Sequence, residues 1–166
     1  FNGIGMNVIC YDMYPDTKSG LNYVTLDEIF EKSDLISLHI PLTEESKHII
    51  NKESIAKMKD GVMLVNTSRG GLIDTKALIE AIEHNKFRGV ALDVYEEEGD
   101  YFFEDKSDEI IQDDELIKLM SFPNVLVTSH QAFFTEESMQ AISKVTLDNL
   151  KAFEKGEKSG NEVEAK

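Results

Sequence analysis

The sequence predicts an α/β domain built on a parallel sheet, and three observations predict it. Short apolar runs rich in Val, Ile and Leu recur along the chain, nearly continuous rather than alternating, as strands covered on both faces are. Amphipathic helical stretches lie between them, and strand alternating with helix is the pattern of βα units with right-handed crossovers. Polar residues follow the apolar runs directly, and an open α/β sheet binds its ligands beyond the carboxyl ends of its strands.

The expected strands are residues 7–11, 35–39, 62–66, 90–93 and 125–128. Residues 25–32 form an expected helix opening on Thr25, with acids in its first turn, and 52–58 a short one. In 74–85 an Asp stands at the cap, and Ala77, Leu78, Ala81 and Ile82 share a face. The acidic stretch 96–120 is too long for a plain connection and is expected to end in a helix near 114–120. Residues 135–153 read as a long amphipathic helix carrying Met139, Ile142, Val145 and Leu150, followed by a polar tail.

The 166 residues suit one domain with its own core, and 32 acidic against 17 basic residues leave a net charge of −15. So acidic a surface repels a phosphate backbone, which argues against nucleic acid as a partner. The single cysteine, Cys10, excludes a disulfide framework and reads as a buried thiol. No apolar stretch approaches the ~20 residues a membrane span needs, no secretory signal is visible, and a cytoplasmic location is expected. The opening Phe1-Asn2-Gly3 reads as the end of a helix closing on glycine, so the chain is expected to begin partway into its fold.

The strand ends supply the candidate site. Asp12 follows the first run, where an acid can accept from a ribose diol and repel a 2′-phosphate, or can simply make a turn with Tyr14 and Pro15. Gly3 and Gly5 precede a run instead of following one, so they carry no phosphate-binding fingerprint. Arg69 lies in a Ser-Arg-Gly-Gly turn, offering a planar fork for a carboxylate or, alternatively, a cap for a neighbouring carbonyl. His130 follows the last run and is a proton donor suited to neutral pH. A carboxylate such as Glu98 would orient it and favour its charged form, although 96–98 reads equally as a solvated acidic loop. His39, His48 and His84 read as strand-end, loop and helix-surface residues, and no spacing suggests a metal site.

Four stretches, Leu38-His39-Ile40-Pro41-Leu42-Thr43, Val65-Asn66-Thr67-Ser68-Arg69-Gly70-Gly71, Ala91-Leu92-Asp93-Val94-Tyr95-Glu96 and Ser129-His130-Gln131-Ala132-Phe133, resemble the D-isomer-specific 2-hydroxyacid dehydrogenases, in order and over nearly the whole chain. The insert at 102–107 and 111–114 resembles the fermentative D-lactate branch of that family. The resemblance implies a Rossmann-like doubly wound sheet that starts here after its first strand and Gly-rich turn. It implies NAD as cofactor and a small 2-oxo acid as substrate, with pyruvate and NADH giving D-lactate and NAD.

It further implies that Arg69 binds the substrate carboxylate, that His130 is the acid/base and that Glu98 orients it. Asp12 would hold the adenosine ribose; Ile40, Pro41 and Ser46 would line the cofactor cleft; Thr67, Ser68 and Asp93 would sit near the nicotinamide end. Residues 1–132 would then be a partial NAD-binding domain. Residues 133–166 would return to a separate substrate domain, leaving their apolar face exposed or seeking another chain. A homodimer is expected, and a chain lacking the closed cleft is expected to be nearly inactive. A nucleotide-responsive binding module on the same scaffold is the competing reading, which Arg69, Glu98 and His130 weaken. A phosphoacceptor signalling domain expects paired acids at its first strand, and Asp12 has no such pair.

Overall fold

The computed structural model describes residues 1–98 and 112–163, and these fall into two compact units that divide between Ser129 and His130. The first unit is a four-stranded, wholly parallel sheet of β1 (Leu35–Leu38), β2 (Val62–Asn66), β3 (Phe87–Leu92) and β4 (Val125–Val127), in the spatial order β1-β2-β3-β4. Each connection contains a helix, as a parallel crossover requires. Before the sheet comes α1 (Leu26–Lys32); then follow α2 (Lys52–Lys57), α3 (Thr75–Glu83) and α4 (Asp114–Ser121). The register sets Ile36 beside Leu64 and Leu64 beside Val90, and these residues are buried on one face. Against that face pack Phe30 of α1, Ile55 of α2, Leu78 and Ile82 of α3, and Leu116 and Leu119 of α4. Each such side chain, once buried, contributes roughly 1.5–3 kcal/mol. Near-continuous burial along the strands holds on this face alone. On the other, Leu35, Met63, Val65 and Ala91 are half-buried and Leu126 is 62% exposed.

The helix starts follow from their caps. Thr25 and Glu28 form a reciprocal capping box on α1, Asn51 and Ser54 another on α2, and the carboxylates of Asp74 and Asp113 accept from the first-turn amides of α3 and α4.

Two expectations need correction. Residues 7–11 form no strand: they are half- to fully exposed, and only Cys10 makes a β-bridge, with Tyr23. An apolar run becomes a strand only where a partner satisfies its ladder, and here the contact is one residue long. β3 also begins three residues earlier than residue 90, because Phe87 is buried and pairs with Val62 across a bulge, although exposed Arg88 and Gly89 interrupt the apolar run. At the start, a short 3₁₀ turn, Asn2–Ile4, closes on Gly5 in the left-handed region (φ 84°), which glycine adopts without the Cβ penalty. The acidic insert at 102–107 lies outside the described residues.

The second unit is a single long helix, α5 (Glu136–Lys155), capped by Thr135 and closed by Gly156 in the left-handed region. None of its residues is buried.

Candidate active site

All strands of a parallel sheet end on one edge, and the chemistry-bearing residues of the first unit leave from it. After β2 the chain turns sharply. Asn66, fully buried, accepts from the Ser68 amide (3.0 Å) and donates to the Arg69 carbonyl (2.8 Å), so one side chain closes the turn. Ser68 Oγ donates to the Ile40 carbonyl (2.6 Å) and ties this turn to the exit of β1. Arg69 itself is exposed, with Nη1 donating to the Ser68 carbonyl (2.7 Å). The carbonyl-capping alternative is thus realised by one nitrogen, while the guanidinium still faces outward as a carboxylate ligand must.

Glycine is obligatory next to it. A Cβ on Gly70 would stand 2.1 Å from the Tyr95 carbonyl carbon and 2.4 Å from the Glu96 nitrogen, so the turn after β2 lies directly on the loop after β3. A Cβ on Gly71 would meet the Leu42 side chain at 3.0 Å.

The loop after β3 starts at half-buried Asp93, whose amide donates to the Asn66 carbonyl (2.9 Å) and whose carboxylate accepts from the Thr128 hydroxyl beyond β4. The three acids that follow are not equivalent. Glu97 is exposed. Glu96 is half-buried and uses both oxygens, accepting from His48 Nε2 (2.7 Å) and from Thr75 Oγ1 (3.2 Å). Glu98 is half-buried and folds back, its Oε2 accepting from the Tyr95 amide (3.1 Å) while its own amide donates to the Tyr95 carbonyl (3.3 Å). Tyr95 anchors the loop: it is buried, and its hydroxyl donates to Asp113 Oδ2 (2.7 Å). Burial, then the Asp113 carboxylate, pushes the phenol far above its usual range and keeps it neutral.

His130 opens the second unit. It is half-buried with φ 54°, one of three described non-glycine residues in the left-handed region, with His48 and Asn85. Such a backbone costs energy and is tolerated where the surroundings impose it, most often at functional positions.

The remaining candidates also lie in loops of the first unit. Asp12 is exposed and accepts from the Tyr14 amide (2.7 Å), the turn arrangement that stood as its alternative reading. Pro41 and Thr67 are exposed and Ile40 is half-buried. Ser46 is buried, and its hydroxyl is occupied by the Pro41 carbonyl (2.7 Å) and the Thr43 amide (2.8 Å), so it shapes the loop after β1. His48 is the residue that sequence reading missed: its partner Glu96 lies 48 positions away, and no local spacing signals the pair. Among the described residues no group of His, Cys, Asp or Glu is arranged to hold a metal, and no helix is long and apolar enough to cross a membrane.

A parallel α/β sheet whose strand-end loops present an arginine, an oriented acid and neutral hydroxyls is the arrangement of a dinucleotide-binding domain. The residues fit NAD. An exposed carboxylate at Asp12, apolar Ile40 and Pro41, and an exposed hydroxyl at Thr67 are chemically compatible with such a cofactor. The model of the D-isomer specific 2-hydroxyacid dehydrogenase NAD-binding domain matches residues 1–132. The chain belongs to that family.

Among its relatives, the D-lactate dehydrogenase of Escherichia coli K12 is 49% identical over 164 residues, a match that covers 97% of this chain and 50% of that protein. A D-lactate dehydrogenase from Treponema pallidum superimposes with a TM-score of 0.86 at 40% identity, covering 99% of this chain and 50% of the other. The Aquifex aeolicus D-lactate dehydrogenase, solved with NAD and lactic acid, gives a TM-score of 0.79 at 41% identity, covering 93% and 48%. The chain thus spans about half the length of the relatives it matches.

Proposed function

We propose that this chain contributes the cofactor half of an NAD-dependent reduction of a small 2-oxo acid, with pyruvate giving D-lactate. The observation that carries this reading is the seating of the Gly70 backbone on Tyr95 and Glu96. It ties the turn bearing exposed Arg69 to the loop bearing Glu98. A guanidinium there grips a carboxylate through a two-pronged fork and polarises the adjacent carbonyl. His130 gives its proton to the oxygen that develops negative charge, and Glu98 is assigned to the same acid/base function. NAD, when bound, supplies the hydride. Residues 133–166 pack against a substrate domain, the dimer is homomeric and cytoplasmic, and the chain by itself turns over slowly or not at all because the cleft stays open to water.

The test is NADH oxidation with pyruvate, glyoxylate and hydroxypyruvate, for this chain beside a version joined to the remaining half of a full-length relative. Preference for pyruvate by the extended protein, with little turnover by this chain, is the expected result. If neither protein oxidises NADH with any of the three acids, the roles given to Arg69, Glu98 and His130 fail. The nucleotide-responsive binding module then takes the lead.

A further inference from the structure

Glu96 does not belong to the roles just described, yet both of its carboxylate oxygens are engaged. Its Oε1 accepts from His48 Nε2 at 2.7 Å, its Oε2 accepts from Thr75 Oγ1 at 3.2 Å, and its backbone nitrogen lies where a Cβ on Gly70 would clash. Each partner sits on a different segment: His48 on the loop after β1, Thr75 at the start of α3, Gly70 in the turn after β2.

His48 is held as firmly. It sits in the left-handed region (φ 52°), which for a histidine is costly. Its amide donates to the Gly71 carbonyl (2.9 Å), and its carbonyl accepts from Asn51 Nδ2 (3.0 Å). Two residues on, Ile50 bridges Ile73. The backbone of His48 therefore grips one end of the Arg69-Gly70-Gly71 turn while its ring grips the acid loop. A half-buried carboxylate with both oxygens engaged is expensive to displace, because either bond lost leaves a desolvated group without a partner.

We propose that Glu96 is a positioning residue: braced by His48 and Thr75, it fixes the spacing between the turn that carries Arg69 and the loop that carries Glu98. The link between this spacing and turnover rests on the function proposed above. The bracing itself does not, and it is testable on the 166-residue chain with no substrate.

Backbone amide exchange, read by ¹H–¹⁵N NMR, follows each change from across the bridge. In Glu96→Ala, the Leu72 and Ile73 amides, which donate to the Arg69 and Gly70 carbonyls, are expected to exchange about tenfold faster, in excess of any change at Leu64 in the core of β2. Glu96→Gln keeps an oxygen for His48 and should return those amides to within about twofold of the parent. His48→Asn approaches from the other side and retains the left-handed backbone, since Asn tolerates it. It should speed exchange of the Glu98 amide by a similar factor. This variant also keeps the test open should Glu96→Ala fail to fold. Acceleration no larger than that at Leu64, or no recovery in Glu96→Gln, means that Glu96 only adds to general stability, and the inference is wrong. A parent chain whose extended form does not reduce pyruvate counts against the proposed function and leaves these exchange rates as they are.

Discussion

Helices α3 and α5 are written in the same code and end in opposite situations. Both begin at a side-chain cap, Asp74 for α3 and Thr135 for α5, and both have an apolar stripe at helical spacing. In nine residues α3 buries Thr75, Leu78, Ile79 and Ile82. In twenty, α5 buries none, and Phe153 is 84% exposed. Caps and periodicity decide that a stretch is a helix. They do not decide that its stripe finds a partner, and most of the stability of a protein helix comes from that partner.

Substitution on the two stripes is the sharpest way to break the comparison. Leu78→Ala, at a 1% exposed position, is expected to cost about 2–5 kcal/mol in urea denaturation, because it opens a cavity in the packed face of the sheet. Leu150→Ala, at a 58% exposed position of α5, should change stability by less than about 0.5 kcal/mol. Equal losses would mean that α5 is packed in solution.

A second contrast lies within the first unit, between glycines. Gly70→Ala forces a Cβ into the Tyr95 backbone and is expected to cost about 3 kcal/mol or more, since backbone cannot rotate away as a side chain can. Gly89→Ala meets nothing closer than 3.9 Å and should stay within about 1 kcal/mol of the parent. Circular dichroism melts of the two variants decide it.

The smallest effect is a pH dependence. The folded chain favours the neutral Tyr95 phenol, so its pKa is raised, whereas an unfolded tyrosine ionises near pH ~10. The resulting stability is complete below about pH 10 and falls above it by about 1.4 kcal/mol per pH unit. Tyr95→Phe should be less stable at pH 7 by roughly one hydrogen bond, ~1 kcal/mol, and should close that gap as pH rises. A gap that stays constant to pH 11 would show that Tyr95 does not titrate as argued.

Much of this architecture was legible in the residues. Runs 35–39 and 62–66 and the caps Thr25 and Asp74 declare themselves through local chemistry, and strands and helices appear there. Run 7–11 does not become a strand, because apolar composition carries no information about whether a neighbouring ladder exists. The turn bearing Arg69 was legible from its glycines, but the reason for Gly70 was not, since the backbone it touches belongs to a different strand's loop. The three consecutive acids Glu96, Glu97 and Glu98 look alike in sequence. Only the fold separates a braced one, a solvated one and one folded back on Tyr95.

The spatial order of the sheet carries a consequence for how the chain assembles. Among the described residues, each strand of the sheet pairs with the strands immediately before and after it in the chain. No later segment has to push between two strands that are already hydrogen-bonded, so the sheet can lengthen sideways from β1 to β4 in the order in which a ribosome releases it. Such neighbour-to-neighbour growth keeps loop-closure entropy low at every step and shortens the time for which each new edge stands unpaired and open to aggregation.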